Sequence, residues 1–411
     1  MNVLRTAILA TVLVGLTACS SPKVVRVPAT LDALDSSLKI SHNWQVKLNA
    51  MPAFDGVGLN IAQNETTVFT ADLKGKITAL KKNSQSRWTE QVIWQSQLGE
   101  KVISGPALSG QHLIVGTAKG KVVALDFETG EVLWQTQLSS EVVSRATIAE
   151  DRVFTRTVDG HLYALNLQTG GVIWANERQM PNLSLRGSSA VLYDEDVLYV
   201  GWETGKVEAL KAESGKSLWE SSIAVPRGRT DLERMVDVQS SLVIKGGRLI
   251  ALGYHGKLVA MSMDSGYLFY AEDLSGYRDF VVDDSAIYAV DEDDYVHAFD
   301  ISNGTRLWSN RSLKYRSLGD LKTHQDALLA VDGLGYIHWL NKLHGTIEAR
   351  VKHSNDYGDE NVVLQALVEG DDIYLLDQGG TINSYRIEQS DLAAFKAELQ
   401  LAKQDKKTDN E

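Results

Sequence analysis

Apolar and polar positions alternate in short runs along most of this chain, and the runs recur. Val122-Val123-Ala124-Leu125 and Val132-Leu133-Trp134 lie on either side of Thr129-Gly130. Branched and aromatic residues suit a half-buried pleated surface, and glycine accepts a positive φ cheaply, so the pattern predicts two strands around a tight turn. Two more runs precede them, Pro106-Ala107-Leu108 and His112-Leu113-Ile114-Val115. No 3.6-residue periodicity accompanies these runs, which argues against a helical solenoid.

The phrase returns from Gly160 to Leu165 with Thr169-Gly170 and Trp174, and from Gly205 to Leu210 with Ser214-Gly215 and Trp219. It returns again from Gly256, Asp294 and Gly335, with Tyr270, Trp308 and Ala349 at the aromatic position. The distance from the first position to the aromatic one is 14 residues in all six copies. An earlier copy, Gly75 to Leu80 then Trp94, is stretched by a polar insert around Lys82 to Glu90, and a last copy runs from Gly380 to Tyr385. Four strands in each unit of about 40–45 residues is the pattern of a propeller blade.

The expected fold is therefore all-β, an eight-bladed β-propeller of four-stranded antiparallel blades over residues 42–387. The eighth copy lacks its fourth strand. Asn43-Trp44-Gln45-Val46-Lys47-Leu48 reads like Leu133 to Leu138, so the N-terminal strand is expected to complete the last blade and close the ring. The recurring tryptophan is expected to pack between neighbouring blades, where its large apolar area stabilises the contact.

Composition narrows the function. Hydrophobic residues are 44% and charged residues 23% of the 411, enough for a large core. The formal net charge of −12 opposes nucleic-acid binding, which needs excess positive charge to displace counterions. It is also a poor charge for gripping anionic lipid. A single cysteine, Cys19, excludes an intramolecular disulfide.

The position of that cysteine matters. Arg5 precedes an apolar run from Ala7 to Leu16, too short for a bilayer that needs about 20 residues and shaped like a secretory signal. Leu16-Thr17-Ala18-Cys19 follows and resembles the lipobox of bacterial lipoproteins, implying cleavage after residue 18 and lipid on Cys19. Three acyl chains would anchor stably, where one alone is marginal. Ser20, in place of aspartate, implies sorting to the outer membrane of a Gram-negative cell. Residues 19–41 are then a tether whose reach, fully extended, is on the order of 70 Å at about 3.1 Å per residue.

Enzyme signatures are missing. The nine histidines include no His-Glu-x-x-His and no His-x-His pair, and no Gly-x-Ser-x-Gly elbow or phosphate loop occurs. Gly56 and Gly58 are a fragment of a dinucleotide motif with Ile61 where the third glycine belongs. Asp291-Glu292-Asp293-Asp294 lacks calcium-loop spacing and reads as a solvated hairpin turn.

The stretch from Ala124-Leu125-Asp126 to Trp134 resembles the tryptophan-docking repeat shared by quinone-dependent dehydrogenases and the BamB family of outer-membrane assembly factors. The lipobox, the eight short blades, Asn182 to Gly187 and Thr230 to Val238 resemble the BamB family over nearly the whole length. The dehydrogenases carry a vicinal cysteine pair that this chain lacks. The resemblance implies a scaffold without catalytic residues, metal or other cofactor. It implies binding to a periplasmic POTRA domain of the barrel protein BamA within the BAM complex, with nascent outer-membrane proteins as possible clients. It maps family contact residues onto Leu183, Leu185, Arg186 and Asp237. Gln239 stands where the family has a second aspartate, which removes one charge.

Spacing points to the same place independently. The stretch from the aromatic position to the next first position is 26 residues after Trp94 and Trp134, 31 after Trp174 and 37 after Trp219. The extra residues fall between the outer strand of one blade and the inner strand of the next, on one face, and insertions on one face of a repeat protein often mark a binding surface. Leu183 and Leu185 on a loop need a place to bury, in the protein itself or in a partner. Beyond Ile387, Ser390-Asp391 can cap a short helix with Leu392, Phe395 and Leu399 as a narrow apolar stripe, followed by a polar tail to Glu411.

Overall fold

The computed structural model describes residues 26–34, 39–49, 58–82, 91–185, 189–353 and 363–387. It is the expected eight-bladed propeller, with seven blades sequential antiparallel meanders and the eighth completed by the N-terminal strand. The second blade carries a fifth, two-residue strand, Gly58–Leu59, parallel to Val102–Ser109. The expected C-terminal helix, the insert at 83–90 and Cys19 lie outside the described residues.

The second and third strands of each blade are buried on both faces. Ala327–Val331 is buried throughout, as is Thr67–Ala71. Outermost strands alternate instead, and Val172–Glu177 shows it. In every blade the outermost strand is bulged at the residue before the aromatic position, as between Val132 and Trp134. The bulge turns that aromatic side chain toward the next blade while the residue before it faces solvent.

There the ring Nε1–H of Trp134 donates to the Leu167 carbonyl at 2.8 Å, and Trp94, Trp174, Trp219 and Trp308 repeat the bond one blade along. Tyr270 substitutes with its hydroxyl, to Ile301 O at 2.9 Å. The turn glycine beneath each ring leaves room for it. A Cβ on Gly170, already at φ +71°, would stand 2.4 Å from a Trp134 ring carbon. Ala349 breaks the series for a physical reason. The eighth blade has no chain turn between its third and outermost strands, because its outermost strand comes from the N-terminus, so a tryptophan there would have no such turn to dock on.

Closure follows the sequence expectation. Ile40–Lys47 pairs antiparallel with Thr381–Ile387. Trp44 is buried, and its Nε1–H donates to the Lys82 carbonyl of the first blade at 3.2 Å. The strand begins three residues before the expected Asn43 and ends at Lys47, one before the expected Leu48.

The segment before it is not a free tether throughout. Residues 26–34 lie against the sixth and seventh blades. The Ala29 N–H donates to Lys314 O at 2.9 Å, and Arg316 and Arg350 donate to the carbonyls of Ala29 and Asp32, each at 2.8 Å.

The acidic run is also not merely solvated. Asp291 accepts the turn N–H groups of Asp293 and Tyr295 and pairs with His297 at 2.9 Å. Asp294, in the glycine position at φ +64°, is buried. It pairs with Arg278 and accepts the N–H groups of Ser317 and Leu318, contacts that offset its backbone strain.

Candidate partner-binding face

In a four-stranded meander the turns between second and third strands and the linkers between blades emerge on one face. The two lengthened linkers, 178–191 and 223–242, leave that face at successive blade crossings, as their spacing predicted. They are also joined. The Leu185 N–H donates to the Asp237 carboxylate at 3.1 Å, and Ser189 Oγ donates to the Val238 carbonyl at 3.4 Å.

The second linker is less of an open loop than its charge suggests. Asp231–Arg234 forms one helical turn, α1, with a reciprocal cap: Glu233 N–H to Thr230 Oγ1 at 3.2 Å, and Thr230 N–H to the Glu233 carboxylate at 3.1 Å. The Thr230-x-x-Glu233 spacing carried that signal. Glu233 also accepts the Arg229 N–H at 2.7 Å, and these backbone bonds hold its pKa below the usual carboxylate value. After α1 the chain turns inward. Met235 to Val238 are buried, and Asp237 exchanges backbone hydrogen bonds with Tyr254 of the next blade.

Asp237 is therefore placed differently from an exposed contact residue. It is 2% exposed, and burial pushes its pKa well above the ordinary value, reinforced by the nearby Glu203 carboxylate. Under it lies an ion pair, Arg156 with Glu203, at 2.7 and 2.6 Å to the two carboxylate oxygens, with the guanidinium 4.4 Å over the Trp202 ring. Arg178 pairs with Glu208, which also accepts the Trp202 Nε1–H at 3.0 Å. A cleft of about 380 Å³ opens beside this cluster, lined by Arg178, Met180, Pro181, Trp202 and Lys206 among others.

Of the residues mapped from sequence, Leu183 is exposed, Leu185 and Gln239 are half-buried, Asp237 is buried, and Arg186 lies outside the described residues. Two exposed apolar side chains on the second linker were not singled out from sequence. Leu232 on α1 is 65% exposed and Val225 57%, both more than Leu183 at 43%. A leucine inside a charged stretch gives little sign of standing outward until the helix that presents it is known.

The family model for outer membrane protein assembly factor BamB matches residues 74–310. This chain belongs to the BamB family. The BamB of Kangiella koreensis is 39% identical over 347 residues, covering 84% of this chain and 88% of that relative. The crystal structure of BamB from Moraxella catarrhalis has a TM-score of 0.75 at 24% identity, covering 85% of this chain and all of that one. A quinohemoprotein alcohol dehydrogenase from Comamonas testosteroni shares the fold alone, at TM-score 0.65 and 12% identity over 84% of this chain and 76% of its own. The BamB name connects the chain to outer-membrane protein assembly.

Proposed function

We propose that this BamB-family chain is a non-enzymatic scaffold of the outer-membrane assembly machinery, anchored through lipid on Cys19 and facing the periplasm. The joined linkers bind the periplasmic POTRA domains of BamA. One observation supports this most: the Leu185–Asp237 bond unites two lengthened linkers into one surface carrying exposed Leu183, Val225 and Leu232. Apolar side chains held outward on a braced loop suit a partner's pocket better than solvent. Leu183 and Leu232 are the apolar contacts, Arg186 the charged one, and Gln239 a polar neighbour without the family's second charge.

The test is a binding titration against isolated BamA periplasmic domains. Leu183→Ala combined with Arg186→Ala should weaken binding more than about tenfold, or about 1.4 kcal/mol, with an unchanged circular dichroism spectrum. Unchanged affinity in the folded double variant would move the partner site to the opposite face.

A quinone-dependent oxidation is the alternative the repeat raises. Among the described residues no three His, Cys, Asp or Glu side chains converge to hold a metal. Incubation with pyrroloquinoline quinone and calcium should yield no dye-linked alcohol oxidation. Saturable quinone binding with turnover would overturn the scaffold reading.

A further inference from the structure

The same face that carries the two long linkers also carries the N-terminal strap. Lys314 and Arg316 belong to the linker between the sixth and seventh blades, and Asp293 to a turn on that face. The strap is held there by the Ala29 N–H bond to Lys314 O and by Arg316 on the Ala29 carbonyl. Arg26 lies 3.7 Å from Asp293 and 5.4 Å over the Tyr315 ring. Leu31 packs against the cluster that includes Leu313, Leu318 and Leu321. Arg316 is itself fixed by the buried Asp332 carboxylate at 2.7 Å, which also pairs with His338 at 2.8 Å. The cradle is therefore built into the blades and not improvised at the surface.

Docking shortens the anchor. Seven residue steps separate Cys19 from Arg26, and in any conformation they span at most about 24 Å, at about 3.4 Å per residue. A tether loose to residue 41 would reach about 70 Å. The short span ends on the linker face. The opposite face lies a further strand length away, about 20 Å for six residues.

We propose that the strap fixes the orientation of the propeller, with the linker face turned to the outer membrane and the opposite face to the periplasm. This rests on the reading of Cys19 as the lipid anchor. The chain's net charge of −12 gives no reason for the face to lie flat on anionic lipid, so the strap sets the distance.

The experiment uses full-length lipidated protein in phosphatidylethanolamine–phosphatidylglycerol vesicles with acceptor-labelled headgroups. Donor dye is placed on Leu232→Cys of the linker face or on Glu128→Cys of the opposite face. The lipid occupies Cys19, so each variant has one reactive thiol. Transfer should be clearly stronger from position 232. Ala29→Pro with Leu31→Asp, which alters only the strap, should shrink the difference between the two positions. Equal transfer from both faces in the parent protein, or stronger transfer from position 128, would overturn the proposal. Failure of the protein to float with the vesicles would overturn the anchor reading and the orientation with it. The strap itself has a separate readout. The Ala29 amide should exchange slowly in the parent and fast in Leu31→Asp alone, which keeps the Ala29 N–H, and fast exchange in the parent would remove the strap.

Discussion

The backbone N–H of Leu185 and the carboxylate of Asp237 meet at 3.1 Å across 52 residues of chain. This bond makes Asp237 a positioning residue, since a side chain 2% exposed has little surface for a partner. Asp237→Asn keeps a carbonyl oxygen that can accept from Leu185, whereas Asp237→Ala leaves a donor without its acceptor, a loss of about 1–3 kcal/mol when buried. The Asn variant should bind BamA periplasmic domains within about threefold of the parent and the Ala variant more than about tenfold more weakly. Equal loss in both variants would show that the charge itself touches the partner.

The raised pKa of Asp237 has a stability consequence of definite sign. Between the ordinary value of 3.8 and the higher folded value, the folded chain holds a proton that the unfolded chain has released. Stability from this group is greatest at low pH and falls as pH rises through that window. Asp237→Asn should therefore gain stability relative to the parent as pH rises from 4 in urea titrations. A constant difference across that range would show that the carboxyl is not perturbed.

His353 acts in the opposite direction. Burial lowers its pKa from 6.5 to about 4. Below pH 6.5 the unfolded chain takes up a proton that the folded chain refuses, so stability is lost as pH falls from 6.5 toward 4. The loss approaches about 3 kcal/mol at about 1.4 kcal/mol per pH unit. His353→Gln should flatten this acid limb of the denaturation midpoint without changing it above pH 7.

The tryptophan-docking turns can be tested with two glycines of similar backbone. Gly110 at φ +54° faces open space, whereas Gly170 at φ +71° lies under the Trp134 ring. Gly110→Ala should lower stability by about 1–2 kcal/mol from the left-handed backbone alone. Gly170→Ala adds displacement of a buried aromatic ring, and its loss should exceed that of Gly110→Ala by at least about 1–3 kcal/mol in the same titration. Matching losses would mean that the ring moves aside freely.

The blades were legible because the inner strands are short apolar runs buried on both faces, bounded by turns that mostly carry glycine. Spacing then counted the blades, and Asn43 to Leu48 declared itself by likeness to Leu133 to Leu138. The strap was not legible. Residues 26–34 have no periodicity, and what holds them is the partnership of Arg316 and Arg350 with backbone carbonyls, which any sequence could offer. Composition suggests a solvated run at Asp291 to Asp294, yet Arg278 and the N–H groups of Ser317 and Leu318 come from other parts of the chain to bind Asp294. The linkers were found by their length, but the burial of Asp237 depends on where the other linker falls.

Ile40 pairs with Ile387, so the ring is shut by the two ends of the repeat. A ribosome makes residue 40 among the first and residue 387 among the last. This N-terminal strand must wait unpaired while seven complete blades and most of an eighth are synthesised behind it. Folding of the closing blade is thereby tied to delivery of the whole chain, and a truncated product would keep an open edge available to whatever strand it meets.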